Sequence, residues 1–497
     1  MWRRVVAGAG LGALMREAGV RPVALAPADR LGQTLQGLAL GAGVLLIVCA
    51  PLMRGGNRSV ALVALEWLGL AVLLGVGLRG LLRPVGAWGH GSERLGLLVL
   101  AAAPLWVALV QLLPLPMGLW TALPGRAFYL DVLAAVQAPG TGWRPASLTP
   151  DATWAAVLAG IPLVACFALA LASTPAQLKT LTRVWIGGAL AQALLGLAQL
   201  GPFPALHFDS LFTGVIGTFA NRNHFTSFLV MTLPLVVLEL RGAWQHRPHH
   251  PGGVGHAGWL WGVVLFVLVL AVLAAGSRAG IATGVLVTLA TVLLLPGPRG
   301  SRLGLPWRLG ALAALVLLAL GAVGLDWMGR FAGQTVAADS AFRHLLATST
   351  WTAALEFWPL GSGLGSYAGV FPRFQPAEVS GFAPHAHSDY VQLLMECGLL
   401  FVGLAAVALW LLGRRARGLA ARARTPHGLD RQERLMMVCG LGLLALLLHA
   451  WVDFNLRIPA NAMLGAFLLG ALLRPLGGGD HPSPPARASG RERTTAP

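Results

Sequence analysis

Two histidines two positions apart, His385 and His387, stand just before a carboxylate, Asp389, in the stretch PHAHSDY. An imidazole beside a carboxylate is suited to general-base work near neutral pH. The same residue types also suit two other tasks: three ligands to a zinc ion, or a hydrogen-bonded cap on the helix that follows. Basic side chains recur at comparable places. In GTFANRNHF, 217–225, Asn221 is a helix-capping residue type and the amides of a helix start favour an anion; Arg222 and His224 add side-chain donors. In GSRAG, 276–280, Arg278 is the only charge between Arg247 and Arg299. A lone guanidinium between two apolar runs needs a partner or a task. Arg343 precedes FWPLGSGLGSY, 357–367; GSGLGS lacks the strand and spacing of a dinucleotide site and reads as a backbone turn next to a substrate. Asp453 and Arg457, four apart in HAWVDFNLRIPAN, 449–461, read first as partners of each other. Several arginines with one base suit an anionic, phosphate-bearing substrate.

The elements that must position these residues are membrane helices. Of 497 residues, 56% are hydrophobic and only 11% charged, against roughly a quarter charged in soluble domains. Apolar runs of about 20 residues, enough to cross a hydrocarbon core, fall near 34–53, 60–78, 96–113, 153–173, 183–200, 223–240, 258–275, 280–296, 309–325, 389–412, 435–451 and 459–473. They predict an all-α polytopic membrane protein with about 12 transmembrane helices. A net charge of +17 would suggest nucleic acid in a soluble protein, but here the charge is confined to segments between apolar runs. No nucleic-acid partner is expected; membrane lipid is. The four cysteines, Cys49, Cys166, Cys397 and Cys439, lie in apolar runs without ligand spacing, so they read as small core residues. The amino terminus is not a cleavable signal, since Arg16, Glu17 and Arg21 interrupt its short apolar run.

Orientation follows from the loops. With both termini cytoplasmic, 26 of the 36 Lys and Arg lie on that side and 10 outside, the asymmetry of the positive-inside rule. Residues 1–33 are then a cytoplasmic N-terminal segment, 34–475 the transmembrane domain and 476–497 a disordered cytoplasmic tail. The longest outward loop, 326–388, exceeds a mere connection. Its Trp, Phe and Gly pattern predicts order, with a helix near 340–358 along the membrane surface. Arg222, Arg278, Arg343 and His387 share this outward face.

Taken in order, SLTPDATW (147–154), GTFANRNHF, GSRAG, FWPLGSGLGSY, HSDYVQLLMECGLL and DFNLRIPAN resemble the O-antigen ligase and polymerase-like family of bacterial inner-membrane glycosyltransferases. The resemblance runs from about 147 to 473. Each stretch alone is loose; their order makes them specific. The resemblance implies a GT-C-like membrane fold, residence in the bacterial inner membrane and a periplasmic active face. It implies transfer of a glycan from an undecaprenyl-diphosphate carrier to a glycan, lipid A core or protein acceptor, with no metal, nucleotide or other cofactor. His387 matches the histidine of the family's HN-x-[YF]-[LV]-Q pattern, which activates the acceptor hydroxyl. Arg278, Arg343 and Arg222 match arginines that hold the diphosphate, the first two as catalytic residues and the third in binding. Asn221, His385, Asp389 and Tyr390 are the adjoining substrate-binding candidates. Ser388 stands where the family often has Asn, and His385 stays open as the alternative base.

Two rival functions use the same scaffold. A transporter or flippase of a lipid-linked or anionic solute needs polar residues deep in several spans, and only Glu66, Glu239 and Glu396 fall within them, two of these towards span ends. A noncatalytic polysaccharide-assembly subunit would carry the same helices.

Overall fold

The computed structural model describes residues 27–82, 91–137, 142–203, 206, 214–245, 256–295, 310, 312–313 and 333–476. Its helices of five or more residues are α1 (Pro27–Cys49), α2 (Ser59–Leu81), α3 (Gly91–Ala101), α4 (Ala103–Gln111), α5 (Met117–Thr121), α6 (Ala127–Ala135), α7 (Pro150–Ala172), α8 (Pro175–Ala198), α9 (Arg222–Gln245), α10 (His256–Ala275), α11 (Arg278–Leu294), α12 (Gly333–Glu356), α13 (Asp389–Cys397), α14 (Leu399–Ala423), α15 (Arg431–His449) and α16 (Pro459–Leu472). Eight of these, α1, α2, α7, α8, α9, α10, α14 and α15, are long and apolar enough to cross a membrane. Helices α11 and α16 are apolar but shorter.

Nine of the expected spans coincide with single helices, and two are broken. The run at 96–113 divides into α3 and α4 at Ala102, where Pro104 opens the second helix. Proline has no amide hydrogen and suits a helix start better than an interior. The run at 389–412 divides at Gly398, whose φ of 54° and ψ of −130° lie outside the right-handed helical region and favour glycine. The run at 309–325 falls, apart from residues 310, 312 and 313, outside the described residues. Among the described residues there is one short exception to the all-α expectation: β1 (Pro114–Pro116) pairs antiparallel with β2 (Trp143–Pro145), Leu115 opposite Arg144.

The main core gathers α1, α2, α7 to α10, α15 and α16 around Trp185, whose ring lies 6.0 Å from Phe228 and 6.1 Å from Phe467. Nearly every residue of α16 is buried, so this short helix is enclosed on all sides. In contrast, α14 buries none of its apolar window. An apolar surface of that extent suits lipid rather than water.

A second, smaller core lies beside the first. It joins α12 to Phe357, Tyr367, Phe371, Ala386 and Met395, with Tyr129 and Leu148 packed against it. The helix expected near 340–358 is α12. The glycines of GSGLGS are used in docking this layer. Gly361, Gly363 and Gly365 have φ of 80°, 117° and 84°, and the intervening amides are spent on the bundle. Ser362 N–H donates to the Met395 carbonyl at 3.0 Å, Gly363 N–H to that of Glu396 at 3.0 Å, and Leu364 N–H to Gln111 Oε1 at 2.7 Å. The turn therefore fixes α13 to α4 rather than presenting its amides to a ligand.

Candidate functional site

Three segments distant in sequence meet at one end of the bundle: the start of α9, residues 385–389, and the turn 450–458 between α15 and α16. Their common point is Asp453, which is fully buried. Its Oδ2 accepts from Asn223 Nδ2 at 2.6 Å, and its Oδ1 accepts from the Phe454 amide at 2.9 Å. Two imidazoles face the same Oδ1, His387 Nδ1 at 3.3 Å and His224 Nε2 at 3.7 Å. Burial alone would raise the Asp453 carboxyl, yet these imidazoles hold it well below the ordinary carboxylate range. It is an anion.

Local structure explains why these side chains converge. Asn221 caps α9 as its residue type suggests, accepting the Asn223 amide on Oδ1 at 2.8 Å. That cap sets Asn223 and His224 in the first turn of α9, on the side that meets the 450–458 turn. His387 has φ of +50°, a left-handed conformation that costs a non-glycine residue roughly 1–2 kcal/mol. Its Nδ1 is buried while a quarter of the side chain is exposed, so the exposure belongs to the remainder of the ring. Phe454 serves as the floor of the site. His385 stacks on its ring with centroids 4.2 Å apart, and His224 and His387 meet it edge-on at 4.5 and 5.0 Å.

The turn bearing Asp453 is clamped from α13. The Asp389 amide donates to the Ala450 carbonyl at 3.0 Å, and Asp389 Oδ2 accepts from the Leu456 amide at 2.8 Å. One residue thus ties both ends of the turn. Burial pushes the Asp389 carboxyl up to about 8, against the pull of the Leu456 amide and Arg457. Tyr390 adds a hydrogen bond to the Leu447 carbonyl at 2.6 Å. Both side chains point into protein. Below them Arg457 donates to Glu396 Oε2 at 2.5 Å, and Gln392 Nε2 donates to Glu396 Oε1 at 3.1 Å. The expected Asp453–Arg457 pair is therefore not formed. Asp453 turns to α9 and His387, and Arg457 satisfies the buried carboxylate of Glu396.

Three arginines lie on or next to residues of this centre. Arg343 on α12 donates from NH1 to the Val452 carbonyl at 2.6 Å, one residue from Asp453. Arg278 opens α11 directly after Ser277. Ser277 caps α11 by accepting the Gly280 amide and donates to Asn223 Oδ1 at 2.8 Å. Arg222 is exposed at the start of α9, next to Asn223. Arg343 thus touches the residue before Asp453, while Arg278 and Arg222 adjoin in sequence Ser277 and Asn223, the two residues whose bonds lead to Asp453.

His385 differs from His387. Burial first, then Arg457 and the two other imidazoles, depress it to about 3, so it stays neutral across the physiological range. Its Nδ1 is buried without a hydrogen-bond partner. Among the described residues no group of three His, Cys, Asp or Glu is placed to hold a metal ion. The motif reading assigns no separate role to Asn223 or Ser277. Their signal is a polar residue within a turn of each helix start, which is also what an ordinary cap looks like.

Residues 263–408 match the family model described as O-Antigen ligase. That segment contains Arg278, Arg343, His385, His387 and Asp389, and ends short of Asp453. No curated protein matches the chain.

Proposed function

We propose that this chain, similar over residues 263–408 to the family model described as O-Antigen ligase, is a periplasm-facing inner-membrane glycosyltransferase. It would move a glycan from an undecaprenyl-diphosphate carrier onto an acceptor hydroxyl, as a ligase or polymerase of surface polysaccharide. The observation that carries this reading is the His387–Asp453 contact, with Arg343 on the carbonyl of the preceding residue and the Arg278-bearing helix start tied to Asn223 through Ser277.

In this reading the acceptor oxygen attacks the anomeric carbon of the donor sugar. The new carbon–oxygen bond forms as the bond from that carbon to the diphosphate oxygen breaks, and the electron pair leaves with undecaprenyl diphosphate. The acceptor proton passes to Nε2 of His387. Asp453, 3.3 Å from Nδ1, stabilises by its charge the imidazolium that results. Negative charge grows on the leaving diphosphate, and Arg278, Arg343 and Arg222 oppose it with fixed positive charge, the role metal ions play elsewhere. Asp389 and Tyr390 hold the turn that presents Asp453, and His385 packs beneath the base. A GT-C-like scaffold and an acceptor drawn from glycan, lipid A core or protein complete the proposal.

The test uses purified protein in lipid nanodiscs, given an undecaprenyl-diphosphate glycan and candidate acceptors, with the product resolved by gel and mass spectrometry. Covalent transfer should be lost in His387→Ala and in Arg278→Ala. Full activity in both variants would overturn the mechanism. Flux of the donor across proteoliposomes without covalent transfer would point to transport instead.

A further inference from the structure

We propose that His224 is a positioning residue of this reaction, sharing Oδ1 of Asp453 with His387 and so setting how firmly the carboxylate engages the base. The proposal rests on the transfer reading of the site, but concerns a residue that reading does not require.

The geometry leaves Asp453 little to share. Oδ2 is taken by Asn223, and Oδ1 faces the Phe454 amide and two imidazoles at once. Neither ring nitrogen completes a hydrogen bond to that oxygen, so both imidazoles act on one buried charge through space, and the presence of one weakens the pull of the carboxylate on the other. His224 cannot reach substrate itself. It is only 3% exposed, its carbonyl accepts from Asn461 Nδ2 at 3.1 Å, and its ring is set edge-on against Phe454. His387, partly exposed on the other side of the same oxygen, can. Any effect of His224 on transfer therefore runs through Asp453.

The direction of that effect is fixed whichever form His224 takes. A neutral His224 donating towards Oδ1 draws charge from the carboxylate, and a protonated one repels the imidazolium of His387. Both oppose protonation of His387, so removing His224 strengthens its hold on a proton. The other ionisable groups around the pair come from every neighbouring element: Arg222 on α9, Arg278 on α11, Arg343 and His344 on α12, His385 and Asp389 before and at the start of α13, His449 at the end of α15, and Arg457, itself paired with Glu396. None of these contacts Oδ1 of Asp453 among the described residues, so they set a common background against which His224 acts.

His224→Phe keeps a ring against Phe454 and removes both nitrogens. The acid limb of its transfer rate should move up by about one pH unit, a roughly tenfold loss at a fixed pH on that limb, while the alkaline plateau falls less than tenfold and donor KM is kept. His224→Gln retains a donor near Asp453 and should recover part of the shift. Imidazole-labelled protein read by NMR should show the same displacement in the titration of His387. An unmoved His387 titration in His224→Phe would overturn the proposal, as would a loss of plateau rate that is independent of pH and not relieved by Gln. The NMR readout needs no turnover, so a failure of the transfer reading, seen as retained activity in His387→Ala, is distinguished from a failure of the coupling.

Discussion

Nδ1 of His387 lies 3.3 Å from Oδ1 of Asp453, although α13, α14 and α15 intervene in the chain. Replacing that carboxylate by a neutral group removes the charge that stabilises an imidazolium and frees the orientation of the ring. Asp453→Asn should slow transfer at least tenfold and move the acid limb of the pH profile to lower pH. His387→Ala should cost about 10²–10⁴, the usual worth of a positioned general base. An acid limb that moves upward in Asp453→Asn would contradict the pairing.

The two histidines of the HAH stretch separate cleanly by substitution. His385 is a neutral, buried ring stacked on Phe454, so Phe at this position keeps the stacking. Transfer by His385→Phe should fall less than tenfold, and transfer by His387→Phe by a hundredfold or more. Steady-state rates of the two variants under the same conditions decide which ring acts as base.

If the arginines oppose diphosphate charge, they are not interchangeable with an ammonium. Arg343 reaches the Val452 carbonyl with NH1 and has further donors for an oxyanion, in the fork geometry that Lys lacks. Arg343→Lys should therefore keep part of the transfer rate and Arg343→Ala less. Arg278→Ala should lower kcat more than it raises donor KM, because its charge counts most as the leaving group forms. A change confined to KM would assign it to ground-state binding alone.

Asp389 makes stability depend on pH. Its carboxyl is raised by burial to about 8, above its unfolded value. A raised acid contributes stability that is complete below the unfolded pKa and lost as pH rises through the folded one. Thermal unfolding in detergent should therefore show an Asp389-dependent decline from about pH 4 to about pH 8. Asp389→Asn keeps an acceptor for the Leu456 amide and should flatten that decline, making the variant the more stable of the two at pH 8. Asp389→Ala strands the amide and should lose about 1–3 kcal/mol.

Legibility in the sequence followed the strength of each physical signal. Long apolar runs report membrane helices directly, and nine of them coincide with single helices. The breaks at Ala102 and Gly398 were harder to read, because a continuous apolar run does not register a turn that one Pro or Gly imposes within it. Arg278, Arg343 and His387 stood out as isolated ionisable groups among apolar neighbours; the structure brings Arg343 and His387 to the same turn, and Arg278 follows Ser277, which bonds Asn223. Asp453 was legible only as half of an i, i+4 pair with Arg457. Spacing along one segment cannot reveal that Glu396, on another helix, has the stronger need of a cation. Nor can it reveal that the carboxylate is turned towards α9. Asn223 and Ser277 looked like helix caps, and Ser277 is one. Their second role exists only because two helix starts come within hydrogen-bond reach.

The position of Asp453 on the turn between α15 and α16 also bears on when the protein can begin to act. Asn223 and His224 leave the ribosome early, His387 later and Asp453 last, so the base lacks its carboxylate until the closing hairpin has inserted. Before that point Asn223 and His224 have no anion to face, and the arginines at the starts of α9 and α11 meet no completed centre. A nascent chain paused after α14 would then be inert towards lipid-linked glycan in the surrounding bilayer. Onset of transfer would report insertion of the α15–α16 hairpin rather than of any earlier helix.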